Sequence, residues 1–380
     1  MDFNLTETQQ MLRDTADRLI RERYGFEQRA KILKSPDGFS RGMWATFAEL
    51  GLLAIEVPEE FGGIGGTFQD VAIVLEAFGR GMVVEPFIPT AVLGAGLINA
   101  AGTQEQKAEL LPRIAEGGLF VAFGHGEPKS RYALAYIATR AVAEGDGFTL
   151  TGEKAVVLGG DCADLFIVSA RTAGAAGERD GLSLFLVPRE ADGLSVRGYP
   201  TVDGTRAAEV SLQGVKVSRS ALLGAEGGAL PLIEQAVDRG IAALCAEAVG
   251  AMEALNEQTL DYLKTRTQFG VPIGSFQVLQ HHMVDMYIAH EQARSMAILA
   301  ADRADSPDAL ARAKAISAAK VQIGKSARHI GQQAVQMHGG IGITMEYSAG
   351  HLFKRLTTID RTFGDADFHL ARYAELSAAA

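Results

Sequence analysis

From Leu119 the apolar residues stop recurring at helical spacing and begin to alternate, and after Gly228 they return to helical spacing. A doubly wound parallel sheet interleaves strand and helix along its whole length, so a chain that switches period only twice is built otherwise. The order is helix, strand, helix, and it places domain boundaries at residues 1–118, 119–228 and 229–380. In the first block, Thr6 and Gln9 form a capping box ahead of Leu5, Met11, Leu12, Leu19 and Ile20 at helical spacing. Further helical patterns cover Trp44–Leu53, Asp70–Gly79 and Gln104–Gly117, separated by glycine-rich breaks. The second block carries short runs at Leu119–Gly124, Tyr136–Glu144, Gly147–Leu150, Lys154–Leu158, Leu165–Arg171, Ser183–Pro188, Leu194–Val196 and Glu209–Val217. Turn signals between them predict an antiparallel sheet or small barrel. The third block holds Leu230–Lys264, Ser275–Ala304 and Asp308–His338, whose length points to a helix bundle.

Charge narrows the ligands. The formal net charge of the 380 residues is -10, spread along the chain, which argues against a nucleic-acid groove. An anionic ligand then depends on isolated Arg or Lys sites. Cys162 and Cys245 lie far apart, so neither a metal spacing nor a disulfide framework is suggested, and the reading is a cytoplasmic protein without a metal. The first ten residues are polar and acidic, unlike a signal peptide. Glu85, Pro86 and Pro89 interrupt the apolar stretch from Gly81 to Gly102, which excludes membrane insertion there.

Three motifs carry a resemblance. Pro58-Glu-Glu-Phe-Gly-Gly63, Arg266-Thr-Gln-Phe-Gly270 followed by Pro272, Phe276 and Gln277, and Gln336-Met-His-Gly-Gly340 with Gly342 occur in this order. With the block order they resemble the acyl-CoA dehydrogenase family over essentially the whole chain. The resemblance implies an N-terminal helical domain, an antiparallel β-barrel-like middle domain and a C-terminal four-helix bundle, mainly α overall. It also implies FAD as cofactor, an acyl-CoA substrate, an electron-transfer acceptor and an oligomer, a tetramer in the simplest case. The residues it assigns to the cofactor are Arg266, Gln268, Phe269, Gln277, Gln336, Met337, Gly339 and Gly340, reaching a neighbouring subunit's flavin. The chemistry suits that assignment: Arg266 offers a planar fork for phosphate oxygens, and Gly339 and Gly340 let backbone approach a ligand. Taken alone, Arg266 also fits an ordinary cation at a helix C-terminus. Gly270-Val-Pro272 likewise fits a stop signal, and Gly339-Gly340 a helix cap.

The catalytic carboxylate of the family is missing from its two usual places. Counting from Gln336, Phe363 in Thr362-Phe-Gly-Asp365 stands at the glutamate position, and Gly240 stands at the alternative one on the first bundle helix. Asp365, Asp367 and Glu247 lie near these positions, but each also fits a solvated charge or salt-bridge partner. In the middle block Phe123-Gly-His-Gly-Glu-Pro128 keeps the Glu-Pro pair of the family's flavin-contacting strand. Gly126 there replaces a hydroxyl residue, Lys129-Ser-Arg131 replaces the following turn, and Val156-Val-Leu158 replaces Trp-Ile-Thr. His125, His338 and the His281-His282 pair read as surface or interface groups. The motifs kept act on a neighbour's cofactor, whereas those lost build the chain's own ring site and base. This pattern resembles the small, base-less subunit of heteromeric acyl-CoA dehydrogenases of the pimeloyl-CoA type. The alternatives are a self-sufficient homotetramer with a displaced carboxylate, a non-catalytic flavin- or acyl-CoA-binding scaffold, and a flavin monooxygenase of the same fold, which has little support.

Overall fold

The computed structural model describes residues 5–378, so the first four residues of the polar N-terminal stretch lie outside it. In chain order the first helices are α1 (Glu7–Arg23), α2 (Phe26–Ile32), α3 (Arg41–Glu49), α4 (Phe68–Gly81), α5 (Ala95–Ala101) and α6 (Gln104–Ala115). The strands are β1 (Val121–Gly124), β2 (Arg140–Glu144), β3 (Gly147–Leu158), β4 (Leu165–Arg171), β5 (Leu182–Pro188), β6 (Leu194–Pro200), β7 (Arg206–Ser218) and β8 (Leu222–Leu223). Then come α7 (Leu230–Thr265), a hairpin of β9 (Thr267–Gln268) and β10 (Val271–Pro272), α8 (Gln277–Arg303), α9 (Ala309–His338), α10 (Ser348–Arg361) and α11 (Ala366–Ala378). The chain divides into two compact units: Met1–Lys31 with Phe68–Val83 and Ile241–Ala380, and Ile32–Thr67 with Val84–Gly240.

In the first unit, α1 starts at the capping box read from sequence: Thr6 Oγ1 accepts from Gln9 N at 3.2 Å, and Gln9 Oε1 accepts from Thr6 N at 3.1 Å. Backbones of α4 and α7 touch because both are glycine at the crossing. A Cβ on Gly79 would sit 1.9 Å from the Glu247 carbonyl, and one on Gly250 would sit 1.8 Å from that of Glu76. Helix α9 packs against α8, α10 and α11, so it is the axis of the bundle. Asp308 caps it, accepting from Ala311 N at 3.0 Å.

The second unit holds an eight-stranded sheet in the order β6-β7-β3-β2-β4-β5-β8, with β1 also on β4. Phe148, Leu150, Phe166, Val168, Phe185, Val187, Leu212 and Val215 lie in its core. Most pairings are antiparallel as the sequence predicts, but β1 and β2 both run parallel to β4. The chain leaves the β4 edge after Gly124, loops through residues 125–139 and returns to the same edge in the same direction at Arg140. Strand β3 is one strand, not two. The break predicted inside it is a pair of register shifts between Leu150 and Thr151 and between Lys154 and Val157. The stretch from Gly81 to Gly102 forms a π-helical turn at Ile88–Gly94 and then α5. Among the described residues no helix is long and apolar enough to cross a membrane.

Candidate functional site

Two of the segments singled out by sequence meet at one end of the first unit. The Tyr262 ring, in the last turn of α7, stacks on the His338 ring, the last residue of α9, with centroids 4.6 Å apart. One turn beyond Tyr262 the hairpin begins, and Ile273 N donates to the Arg266 carbonyl at 2.9 Å to close it. Its loop is the two residues Phe269 and Gly270, with φ of +54° and +83°. That is the geometry of a type I′ turn, where asparagine-glycine is favoured and an aromatic residue is strained. Phe269 is nevertheless 92% exposed, with its ring edge-on to Phe276.

Just past His338, Gly339 takes φ +62°, and a Cβ on either Gly339 or Gly340 would meet nothing within 4 Å. The backbone there is open to an incoming group. Arg266 is exposed and forms no ion pair with a described residue. Gln277 and Gln336 are exposed at the same end, and Gln268 donates to the Thr267 carbonyl at 2.8 Å. Met337 is buried in the bundle. A diphosphate needs a cation and approachable backbone, and the residues here fit one. Ile341, Ile343 and Met345 beyond the glycines, and Val278, Val284, Tyr287 and Ile288 along α8, are exposed as well. Exposed large apolar side chains gathered in these segments are of the kind found at interaction surfaces.

His338 is not a surface group. It is 3% exposed; Nδ1–H donates to the Ala334 carbonyl at 2.8 Å, which leaves Nε2 to accept from the Tyr347 hydroxyl at 3.3 Å. Burial lowers its pKa, so the imidazole stays neutral and pins the turn to the bundle. No sequence signal marks this, because the aromatic partners come from α7 and from Tyr347, just before α10.

The three carboxylates near the missing base are each engaged elsewhere or turned outward. Glu247 is buried and held by Arg355 in a two-pronged pair, Nε to Oε1 and Nη2 to Oε2, both 2.6 Å. Asp365 caps α11, accepting from Phe368 N at 3.0 Å, and its other oxygen meets Arg361 at 2.8 Å. Asp367 is exposed in the first turn of α11, where the helix dipole favours an acid. Gly240 is buried in α7. Phe363 is half-buried and takes φ +60°.

In the second unit the segment that keeps Glu-Pro is internally closed. Lys154 Nζ donates to Glu127 Oε1 at 2.8 Å and to Ser169 Oγ at 3.2 Å, while Ser169 Oγ lies 3.0 Å from His125 Nδ1. Glu127 also accepts from Ala138 N, Thr139 N and Thr139 Oγ1. Burial pushes His125 down to about 3 and Lys154 down to about 8. Burial would raise the Glu127 carboxyl, but Lys154 and the bonds from Thr139 and Ala138 outweigh it and hold it below the ordinary carboxylate range. His125 is therefore a buried group within the sheet unit, against its reading as a surface or interface one. Val156, in the bulge after Lys154, is exposed at φ +52°, an outlier for a β-branched residue.

Comparison with known proteins accounts for this layout. Family models described as the acyl-CoA dehydrogenase N-terminal, middle and C-terminal domains match residues 6–118, 122–215 and 230–376. The chain is 31% identical to the probable acyl-CoA dehydrogenase YngJ of Bacillus subtilis over 93% of each chain. It superposes on a variant of the Tcur3481-Tcur3483 steroid ACAD with a TM-score of 0.88 at 30% identity, covering 98% of each. It shares its fold with a chain of the ChsE4-ChsE5 complex from Mycobacterium tuberculosis, with a TM-score of 0.89 at 24% identity over 100% of both. With helical, sheet and helical blocks matched end to end, the chain belongs to the acyl-CoA dehydrogenase family.

Proposed function

We propose that this chain is the FAD-completing, base-less subunit of a heteromeric acyl-CoA dehydrogenase of the pimeloyl-CoA type, and that it works in the cytoplasm. The reaction is α,β-desaturation of an acyl-CoA thioester. FAD, when bound, supplies the hydride acceptor, and an electron-transfer partner reoxidises it. Residues 1–118, 119–228 and 229–380 serve as its three domains. Arg266 grips the diphosphate, the open Gly339–Gly340 backbone lets it come close, and Phe269 gives an apolar face to the ring system. The α-proton is taken by a carboxylate of the other subunit.

One observation supports this reading above others. Position 363 carries a benzyl group, and of the nearby carboxylates Glu247 and Asp365 are bonded within the chain while Asp367 is turned out to solvent. Both carboxylate oxygens of Glu247 are taken by Arg355 in a buried pair, so neither is aimed at an incoming substrate. Asp365 is used as a helix cap. By contrast Arg266 and Phe269 stand exposed at the hairpin. The similar Tcur3481-Tcur3483 protein bears two designations and is described as a steroid ACAD, which favours a second polypeptide and a bulky acyl group here too.

The test is to purify the chain alone and with a second family member, then assay flavin content and flavin bleaching by a saturated acyl-CoA. The chain alone should not bleach, and the pair should hold about half a flavin per chain, one complete site per heterodimer. Turnover of a saturated thioester by the isolated chain would establish the self-sufficient enzyme instead.

A further inference from the structure

The turn that joins α10 to α11 is fastened more firmly than the end of a helix requires. Lys320, on α9, is fully buried, and its ammonium donates to the carbonyls of Ile359, Asp360 (3.2 Å) and Thr362 (2.9 Å). His369, on α11, is also fully buried; Nε2–H donates to the Phe363 carbonyl at 3.0 Å, and Nδ1 faces Ser317 Oγ at 3.4 Å. Four carbonyls of this turn are thus held by two buried side chains rather than by water. Between these pins Phe363 adopts φ +60° and Gly364 φ +113°. A Cβ on Gly364 would lie 2.5 Å from the Phe368 ring and 2.6 Å from His369 Nε2, so the next residue is fixed as well.

Helices often end with one left-handed residue, but that residue is usually glycine. Here glycine follows one position late and an aromatic residue takes the left-handed place. The backbone conformation at 363 is therefore imposed from outside, by groups on α9 and α11, and not chosen by its own side chain. Strain of this kind persists where the surroundings over-determine it, and such places cluster at ligand sites. The side chain so aimed is only half-buried.

We infer that Lys320 and His369 are positioning residues of the thioester pocket, holding the left-handed turn that presents residue 363 to the acyl group. The inference rests on the reading under Proposed function that position 363 lies at the acyl site. Neither side chain touches substrate in this view; both act through the backbone of residues 359–363.

The test uses the FAD-loaded assembly and crotonyl-CoA as the thioester probe. Binding is measured by calorimetry, and amide hydrogen exchange is followed in peptides spanning residues 362–368. Lys320→Met should raise exchange in that peptide and weaken crotonyl-CoA by about 10-fold or more, as expected when a ligand-facing group is displaced. In a Phe363→Gly background, where left-handed backbone needs no support, the same change should weaken binding by less than about threefold. If Lys320→Met does not fold, His369→Leu serves as the second variant with the same expectations. Crotonyl-CoA affinity within about twofold of the parent despite a lowered melting temperature would make the pins purely structural and overturn the inference. So would an equal loss in both backgrounds. If the parent assembly itself fails to bind crotonyl-CoA, the proposed function falls first and the inference with it.

Discussion

At the hairpin end, Arg266, Phe269 and Gln336 stand in solvent, and the open backbone of Gly339 and Gly340 faces outward. At the turn after α10, the carbonyls of Ile359, Asp360, Thr362 and Phe363 and the carboxylates of Glu247 and Asp365 are all bonded within the chain. Sequence singles out both segments, yet only the hairpin end leaves an exposed cationic side chain without an ion pair to a described residue. A group already bonded inside a fold can be lent to a ligand only by breaking what it holds, whereas an exposed cation contributes little to folding and is available. On the proposed function the contrast separates residues that serve the chain from residues that serve whatever docks on it, and substitutions at the two places should fall into different classes of effect.

The largest effect is expected at Glu247 and Arg355. Removing one member leaves the other charged and buried, so Glu247→Ala or Arg355→Met should destabilise the chain by about 3–5 kcal/mol. Urea denaturation measures this directly. A Glu247→Gln variant that keeps its stability but abolishes turnover would return Glu247 to the list of bases and dissolve the contrast. Arg266→Ala should do the opposite. Stability should stay within about 0.5 kcal/mol of the parent, while FAD affinity of the assembly drops by roughly 10–100-fold, the worth of a charge-assisted phosphate contact. Fluorescence titration with FAD beside a melting curve reads both.

Much of this layout is legible in the sequence, and the reasons are physical. The ends of α7 and α9 fall within a residue or two of the sequence reading, because long amphipathic helices repeat their signal many times and Asp308 announces a start. Helices α10 and α11 escape that reading. The inward face of α10 is Ala349, Leu352, Arg355, Leu356, Ile359 and Asp360, so two buried charges interrupt its apolar stripe. Strand β3 reads as two because the register shifts after Leu150 and Lys154 break the alternation. At the site, the identity of the exposed groups can be read from sequence but the closure of the others cannot. His125 and His338 look like surface or interface polar residues in sequence, since Ser169 and Lys154 in one case and Tyr262 in the other are distant in the chain, and Tyr347, nine residues past His338, gives no periodic signal across the intervening turn. The left-handed backbone of Phe363 leaves no trace in composition, because it is set by Lys320 and His369.

Acid should probe the closed regions specifically. Burial pushes His125 and His369 down to about 3, whereas the unfolded chain takes up these protons near pH 6.5. The unfolded state therefore binds more protons between those values, so stability is full near pH 7 and is lost as the pH falls. From pH 7 to 5 each histidine should remove roughly 1–2 kcal/mol. Urea midpoints at the two values, compared with His369→Gln and His125→Gln, would show each variant flattening the dependence. Unchanged slopes in both variants would mean that neither imidazole is sealed from water.

The smallest effect bears hardest on the comparison, because it asks two measurements to move apart. Phe269 occupies a left-handed position in a two-residue hairpin loop where asparagine is the favoured residue, and it gains almost no burial there, being 92% exposed. For the chain by itself, Phe269→Asn should therefore stabilise by about 0.5–1 kcal/mol, seen as a raised melting temperature. For the assembly it removes an aromatic face of the kind that dominates binding at interfaces, so FAD retention and association of subunits should weaken. On the proposed function, the contact Phe269 makes outside the chain is what offsets its loss to its own fold. Were Phe269→Asn to leave FAD retention untouched, the hairpin would be an ordinary turn, and exposure at this end would no longer mark the residues that act on a neighbour.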